Sequence, residues 1–124
     1  MGMVGGGKGS FIGPVHRIAA MMDNKIELVC GAFNSTPERS RISGTDLFLK
    51  PERIYDTYEE MFGKEMQLSD DYRMDFVAVV TPNNTHYPIA MAALENGFHV
   101  VCEKPMTTNL SEATDLKQKV IDTR

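Results

Sequence analysis

The feature that most constrains this chain is a glycine string set between a short apolar stub and a helix. Val4-Gly5-Gly6-Gly7-Lys8-Gly9-Ser10-Phe11-Ile12-Gly13 runs out of the stub Met1–Val4, and Phe11, Val15, Ile18 and Met22 then recur at helical spacing. A strand, a glycine turn and a helix in that order can cradle a phosphate. Glycines let backbone N–H groups approach closely, and the helix N-terminus adds partial positive charge. The same string can also serve backbone tightness alone, so its meaning depends on what flanks it. Two registers are open. Gly5-x-Gly7 can be the first pair, with Ser10 where a third glycine is expected, or Gly7-x-Gly9 can lead, followed by Gly13. Gly5, Gly7, Gly9, Ser10, Phe11 and Ile12 are the candidate cofactor-binding residues of this turn.

The rest of the chain alternates strand and helix. Ile26–Ala32 is a short β-rich run, and Thr36-Pro37 opens a helix that fades around Ser43-Gly44, with Thr36 as N-cap and Pro37 in the first turn. Thr45–Glu52 reads as a loop, Arg53–Asp56 as a short strand and Thr57–Gln67 as a helix. Asp75–Thr81 is a continuous apolar run, as expected for a strand covered on both faces. Thr85–Asn96 reads as a helix closed by Gly97, and Phe98–Cys102 as a further strand. Asn109 with Glu112 resembles a capping box and opens a last helix through about Asp122. This alternation predicts an α/β fold, a Rossmann-type doubly wound parallel sheet with helices on both faces. With 124 residues the chain amounts to one domain or part of one.

Composition narrows the function classes. Thirteen basic against seventeen acidic residues give a net charge of −4, which argues against a nucleic-acid surface. No apolar run approaches the roughly 18–20 residues of a membrane span, and no secretion signal opens the chain. Cys30 and Cys102 belong to strands three apart in the usual order, on the order of 14 Å, which is too far for a disulfide. Two small core thiols fit a reducing compartment, so a cytoplasmic location is expected. His16, His86 and His99 are scattered and no C-x-x-C occurs, so no metal site is expected.

The turn after the second strand bears on cofactor choice. An NAD-preferring site usually carries an acid there, about 20 residues past the glycines. This chain has Phe33-Asn34-Ser35-Thr36, with no carboxylate before Glu38. Asn34 or Ser35 can bond a 2′-hydroxyl, or accept a 2′-phosphate with help from Arg39. The expected cofactor is NAD or NADP, with a tilt toward NADP.

Three segments fall in order: Gly13-x-x-His16 after the glycine turn, Thr81-Pro82-Asn83-x-x-His86, and Gly97-x-His99-Val100-x-x-Glu103-Lys104-Pro105. This pattern resembles the nucleotide-binding half of the Gfo/Idh/MocA oxidoreductases, the glucose–fructose oxidoreductase and inositol dehydrogenase group. The Gly31-Ala32-Phe33-Asn34-Ser35 segment looks like a subgroup without the usual acid at Asn34. The resemblance implies hydride transfer between a nicotinamide and a sugar- or polyol-type alcohol. Lys104 matches the family lysine that points at nicotinamide and substrate and assists at the reacting oxygen. Glu103 matches a residue on the nicotinamide-ribose side, and the Lys104–Pro105 bond is commonly cis in the family. Thr81, Pro82 and Asn83 would line the cofactor, with His86 near it at a helix start. His16 fits helix packing equally well, and His99 reads as structural.

Family chains are much longer. The resemblance therefore implies that residues 1–124 are a partial NAD(P)-binding domain, truncated before the last strand of the sheet and without the C-terminal substrate domain. The alternative is a catalytically inactive dinucleotide-binding fragment or module. A methyltransferase with a similar glycine turn has no need of Glu103-Lys104-Pro105. Unpaired sheet edge and exposed apolar side chains predict possible self-association.

Overall fold

Side chains alternate across a strand, and this alternation sorts the core into two halves. Val4, Val77 and Val79 belong to one buried cluster with Cys30, Met61, Phe62, Ile89, Ala93 and Phe98. Met1, Met3, Ala78 and Val80 belong to a second one, with Phe33 and, partly buried against it, Ile12 and Ala20. The inner strands are thus covered on both faces, whereas His99 and Val101 on the last strand stay exposed. In the computed structural model, which describes residues 1–123, four parallel strands carry this pattern: β1 (Gly2–Gly5), β2 (Cys30–Ala32), β3 (Phe76–Val80) and β4 (His99–Cys102). Their order is β2-β1-β3-β4, the doubly wound arrangement expected from the sequence.

The helices are α1 (Ile12–Met21), α2 (Pro37–Asp46), α3 (Tyr58–Glu65), α4 (His86–Glu95) and α5 (Leu110–Asp122). Residues of α1 join one core face, and residues of α3 and α4 the other. Thr57 Oγ1 accepts the Glu60 N–H (3.2 Å) and starts α3, while Glu60 Oε2 accepts the Asp56 N–H (3.1 Å). Asn109 Oδ1 accepts the Glu112 N–H at 3.0 Å, and the Glu112 carboxylate bonds back to Thr108 rather than to Asn109. Gly97 has φ +77°, the left-handed cap read from the sequence.

Three boundaries differ from expectation. The second strand is only Cys30–Ala32, not Ile26–Ala32, because β1 offers it only Gly2, Met3 and Val4 as ladder partners. Upstream, Val29 and Glu27 bond to Met1 alone. The second helix runs on to Asp46, past Ser43-Gly44, since Gly44 packs against Ile54, where a side chain would not fit. The expected strand at Arg53–Asp56 reduces to one parallel bridge, Ile54 to Gly31, preceded by a 3-10 turn over Pro51–Arg53. Thr36 flanks α2 in extended conformation, but its side chain makes no capping bond.

A buried carboxylate holds this edge of the sheet. Glu65 is fully buried, takes two 2.8 Å bonds from Arg53, and accepts further bonds from the Tyr55 hydroxyl (2.8 Å) and the Met74 N–H (3.0 Å). Burial and the bond to Glu65 both push the Tyr55 phenol up. Cys30 and Cys102 are free thiols on the two outer strands. Cys30 is buried, whereas Cys102 is only half-buried.

Candidate functional site

The carboxyl ends of β1, β2 and β3 open into a cleft of about 940 Å³. Crevices at this end of open α/β sheets are where ligands bind. Gly5, Gly6, Gly7, Lys8 and Ser10 line it from the glycine turn, Phe33, Asn34 and Ser35 from the end of β2, and Thr81, Pro82, Asn84 and Thr85 from the end of β3. A fourth wall comes from Asp56, Thr57, Tyr58 and Glu59, ahead of and into α3.

The geometry of the turn combines both registers open in the sequence. Gly5, Gly6 and Gly9 have φ of +79°, +71° and +86°, a region that glycine enters without penalty. Gly7 passes so close to β2 that a Cβ there would meet Ser43 Oγ at 2.7 Å and the Phe33 carbonyl oxygen at 2.8 Å. Ser10 Oγ accepts the Gly13 N–H at 3.2 Å, in the first turn of α1. Gly13 is the glycine of close helix packing, set against the Gly6 peptide. Arg17, one turn further along α1, donates to the Gly6 carbonyl at 2.7 Å. Gly5 and Gly7 therefore shape the turn, Ser10 starts the helix, and Gly13 packs it.

The cleft gathers only some of the candidate residues. Gly5, Gly7, Ser10, Asn34, Ser35, Thr81 and Pro82 line it. Gly9 and Asn83 are exposed beside it, Phe11 is 87% exposed just ahead of α1, and Ile12 is partly buried in the core. Arg39 is exposed on α2 and does not line the cleft. Asn34 Oδ1 accepts the Thr36 N–H at 3.0 Å, an Asx-type turn that fixes the end of β2.

Glu103, Lys104 and Pro105 follow β4, at the same end of the sheet as the cleft, with the Glu103 N–H bonded to the Val79 carbonyl (3.0 Å). The Lys104–Pro105 bond is cis, as the resemblance implies. Lys104 is exposed. The Glu103 carboxylate lies 3.1 Å from His16 Nε2 on α1. That bond is the main cause holding the Glu103 carboxyl below the ordinary carboxylate range, with desolvation opposing it. His86 is fully buried at the start of α4, and its ring nitrogens face the Pro105 and Thr81 carbonyls at 2.7 and 2.8 Å.

Some cleft residues escaped the sequence reading. Lys8 lies inside the glycine string and its amine pairs with Asp46 at 3.2 Å. Among the described residues it is the only cation lining the cleft. The Asp56–Glu59 wall was signalled by Thr57-x-x-Glu60, a capping-box spacing that marks a helix start.

A parallel sheet in this strand order, with a glycine turn at its carboxyl edge, defines the class of dinucleotide-binding α/β domains. A family model described as an oxidoreductase family with an NAD-binding Rossmann fold matches residues 1–123. The chain belongs to this family, the Gfo/Idh/MocA oxidoreductases. It is 43% identical over 116 residues to an uncharacterized oxidoreductase, YfiI, of Bacillus subtilis, which covers 93% of this chain and 29% of that protein. It is 30% identical, over an alignment of 128 positions, to levoglucosan dehydrogenase of Pseudarthrobacter phenanthrenivorans, covering 98% of this chain and 30% of that one. Among solved structures, an inositol dehydrogenase homolog from Azotobacter vinelandii, complexed with NADH and myo-inositol, superimposes with a TM-score of 0.93 at 44% identity. That match covers 98% of this chain and 32% of the other. The chain thus spans about 30% of the length of these relatives. No helix among the described residues is long and apolar enough to cross a membrane.

Proposed function

We propose that this chain is the cofactor-binding part of an NAD(P)-dependent oxidoreductase that acts on a polyol- or sugar-type alcohol. The observation that carries the reading is the glycine cradle. Gly5, Gly6 and Gly7 line the cleft, and at Gly7 a Cβ would meet both Ser43 and Phe33, so the bare backbone is what this approach requires. A pyrophosphate fits such a wall of backbone beside a helix start. When bound, the nicotinamide supplies the site that takes or gives the hydride.

The chain's own residues then have distinct tasks. The Gly5–Ser10 turn holds the phosphates, Asn34 and Ser35 face the adenosine ribose, and Thr81 and Pro82 line the middle of the cleft. Lys104, exposed at the end of β4, serves the nicotinamide end of the cofactor and holds a proton or hydrogen bond at the oxygen of the reacting alcohol. Asn34 and Ser35 spare a 2′-phosphate the repulsion of a carboxylate, and Lys8 adds a cation to the cleft, which favours NADP. The Azotobacter vinelandii relative carries NADH, which favours NAD. A polyol or sugar alcohol as substrate follows from the myo-inositol in that relative and from the levoglucosan dehydrogenase.

Calorimetric titration of the 124-residue chain with NAD⁺ and with NADP⁺, beside a Lys104→Ala control, tests the reading. Saturable binding of at least one dinucleotide is expected, and the tighter one identifies the cofactor. A folded chain that binds neither overturns the cofactor assignment. Turnover with inositols and aldoses is assayed on the same chain as a separate arm, since turnover requires bound cofactor whereas cofactor binding does not require turnover.

A further inference from the structure

Lys104 stands between two neighbours that are each tied to a histidine from a different helix. On one side, the Glu103 carboxylate meets His16 Nε2 of α1 at 3.1 Å. On the other, the Pro105 carbonyl meets His86 Nδ1 of α4 at 2.7 Å. These helices cover opposite faces of the sheet, as their core clusters show. Lys104 itself is tied only through its backbone N–H, 3.3 Å from Glu103 Oε2, and its amine has no hydrogen-bond partner among the described residues. The lysine is free at its tip and clamped at its base.

His86 does more than hold one loop. Its Nε2 lies 2.8 Å from the Thr81 carbonyl, and Thr81 lines the cleft. The ring thus spans the segments that leave β3 and β4. Both partners are carbonyl oxygens, which only accept, so the ring holds the two at once only with an N–H on each nitrogen, and its rigid frame aims those nitrogens at different segments. With no exposed surface, His86 is placed to act from beneath the site and not on a ligand.

We propose that His16 and His86 are positioning residues: together they clamp the Glu103–Pro105 segment and so set where the Lys104 amine stands relative to the cleft. His86 also locks that segment to the Thr81 wall. This inference rests on the proposed role of Lys104 at the nicotinamide end of the cofactor. A positioning role has a signature that a merely structural role lacks. It should weaken recognition of the nicotinamide half and spare the adenosine half, which is held by the glycine turn and the end of β2.

The test compares NADH (or NADPH, whichever binds) with the matching ADP-ribose, which keeps the adenosine and pyrophosphate but has no nicotinamide. Titrations use the chain as it is, with His86→Gln, His16→Gln, Lys104→Ala and the two histidine–lysine double variants. The expected result is that each single variant narrows the advantage of the whole dinucleotide over ADP-ribose by up to about tenfold, with ADP-ribose affinity held within about twofold. The double variants should lose little beyond Lys104→Ala, because clamp and lysine act as one unit. An unchanged ratio, an equal loss for both ligands, or full additivity with Lys104→Ala overturns the proposal. His16 is only half-buried, so its variant keeps the test open if His86→Gln fails to fold. Wild-type chain that binds neither ligand defeats the cofactor reading itself, and the clamp falls with it, an outcome distinct from the other three.

Discussion

Gly13 of α1 lies against the peptide of Gly6: a Cβ at Gly13 would stand 2.5 Å from the Gly6 α-carbon. One contact between two glycines therefore sets how closely the first helix approaches the turn that it follows. Gly13→Ala should push α1 off the turn, costing about 1–3 kcal/mol by overpacking and weakening dinucleotide binding with it. Urea unfolding and calorimetric titration of the same variant check both effects. Gly63 is the contrasting case, a glycine inside α3 with open space around its Cβ position and ordinary φ. Gly63→Ala should stabilise the chain by about 0.5–1 kcal/mol and leave binding unchanged.

Glu65 is buried with all its bonds made, so removing either partner strands a charge. Arg53→Ala or Glu65→Ala should each cost about 3–5 kcal/mol in equilibrium unfolding. Arg41 and Asp56 make a similar two-pronged pair, at 3.0 and 2.8 Å, on the exposed side of α2. Arg41→Ala should change stability little by comparison. Similar costs for the Arg41 and Glu65 variants would contradict the burial argument.

The bond from His16 holds the Glu103 carboxyl below its ordinary range, so Glu103 favours the folded state when it is ionised. That contribution is present above the usual glutamate value of about 4.3 and is lost as pH falls through the lowered folded value. Carboxylate NMR titration should place the Glu103 midpoint below 4.3, roughly the reference for the unfolded chain. His16→Ala should move the midpoint up, since the His16 hydrogen bond is the largest cause of the shift. A midpoint insensitive to His16 would count against the pairing.

Burial pushes the Cys30 thiol up to about 12, with Glu65 adding to the effect. Cys102 is also raised, mainly by desolvation, but is only half-buried on an outer strand. Thiolate is the reactive form, so native chain at neutral pH should label at Cys102 slowly and at Cys30 hardly at all. Unfolding in guanidinium should expose both. Mass spectrometry after timed labelling reads the two sites separately, and rapid native labelling of Cys30 would contradict its place in the core.

Among the described residues Lys8 is the cation that lines the cleft, and Asp46 already holds its amine on the exposed surface. If the amine turns to a bound phosphate, Lys8→Ala should weaken dinucleotide binding by about tenfold, and more for NADP than for NAD if the target is the 2′-phosphate. Added salt should shrink the difference, because the lysine is exposed. Equal affinities of variant and wild type for both cofactors would remove Lys8 from the site.

The sequence by itself determined what depends on local order. The glycine string between stub and helix, the apolar runs at Asp75–Thr81 and Phe98–Cys102, the Gly97 cap and the Asn109 cap each rest on neighbours a few residues away, and each stands in the structure close to where it was read. Thr81-Pro82-Asn83 and Glu103-Lys104-Pro105 were legible because they follow strands directly. Tertiary structure decided whatever depends on partners distant in sequence. It ended the second strand at three residues by the length of its ladder partner, and it replaced the Arg53–Asp56 strand with a single bridge. It took Arg39 out of the cleft and brought in Lys8 and the Asp56–Glu59 wall. It also turned His16 and His86 from isolated histidines into two ties on either side of Lys104. A backbone turn is set by residue type and neighbours, whereas a side-chain contact across 87 positions, such as that of His16 with Glu103, exists only once the sheet has brought its strands and helices together.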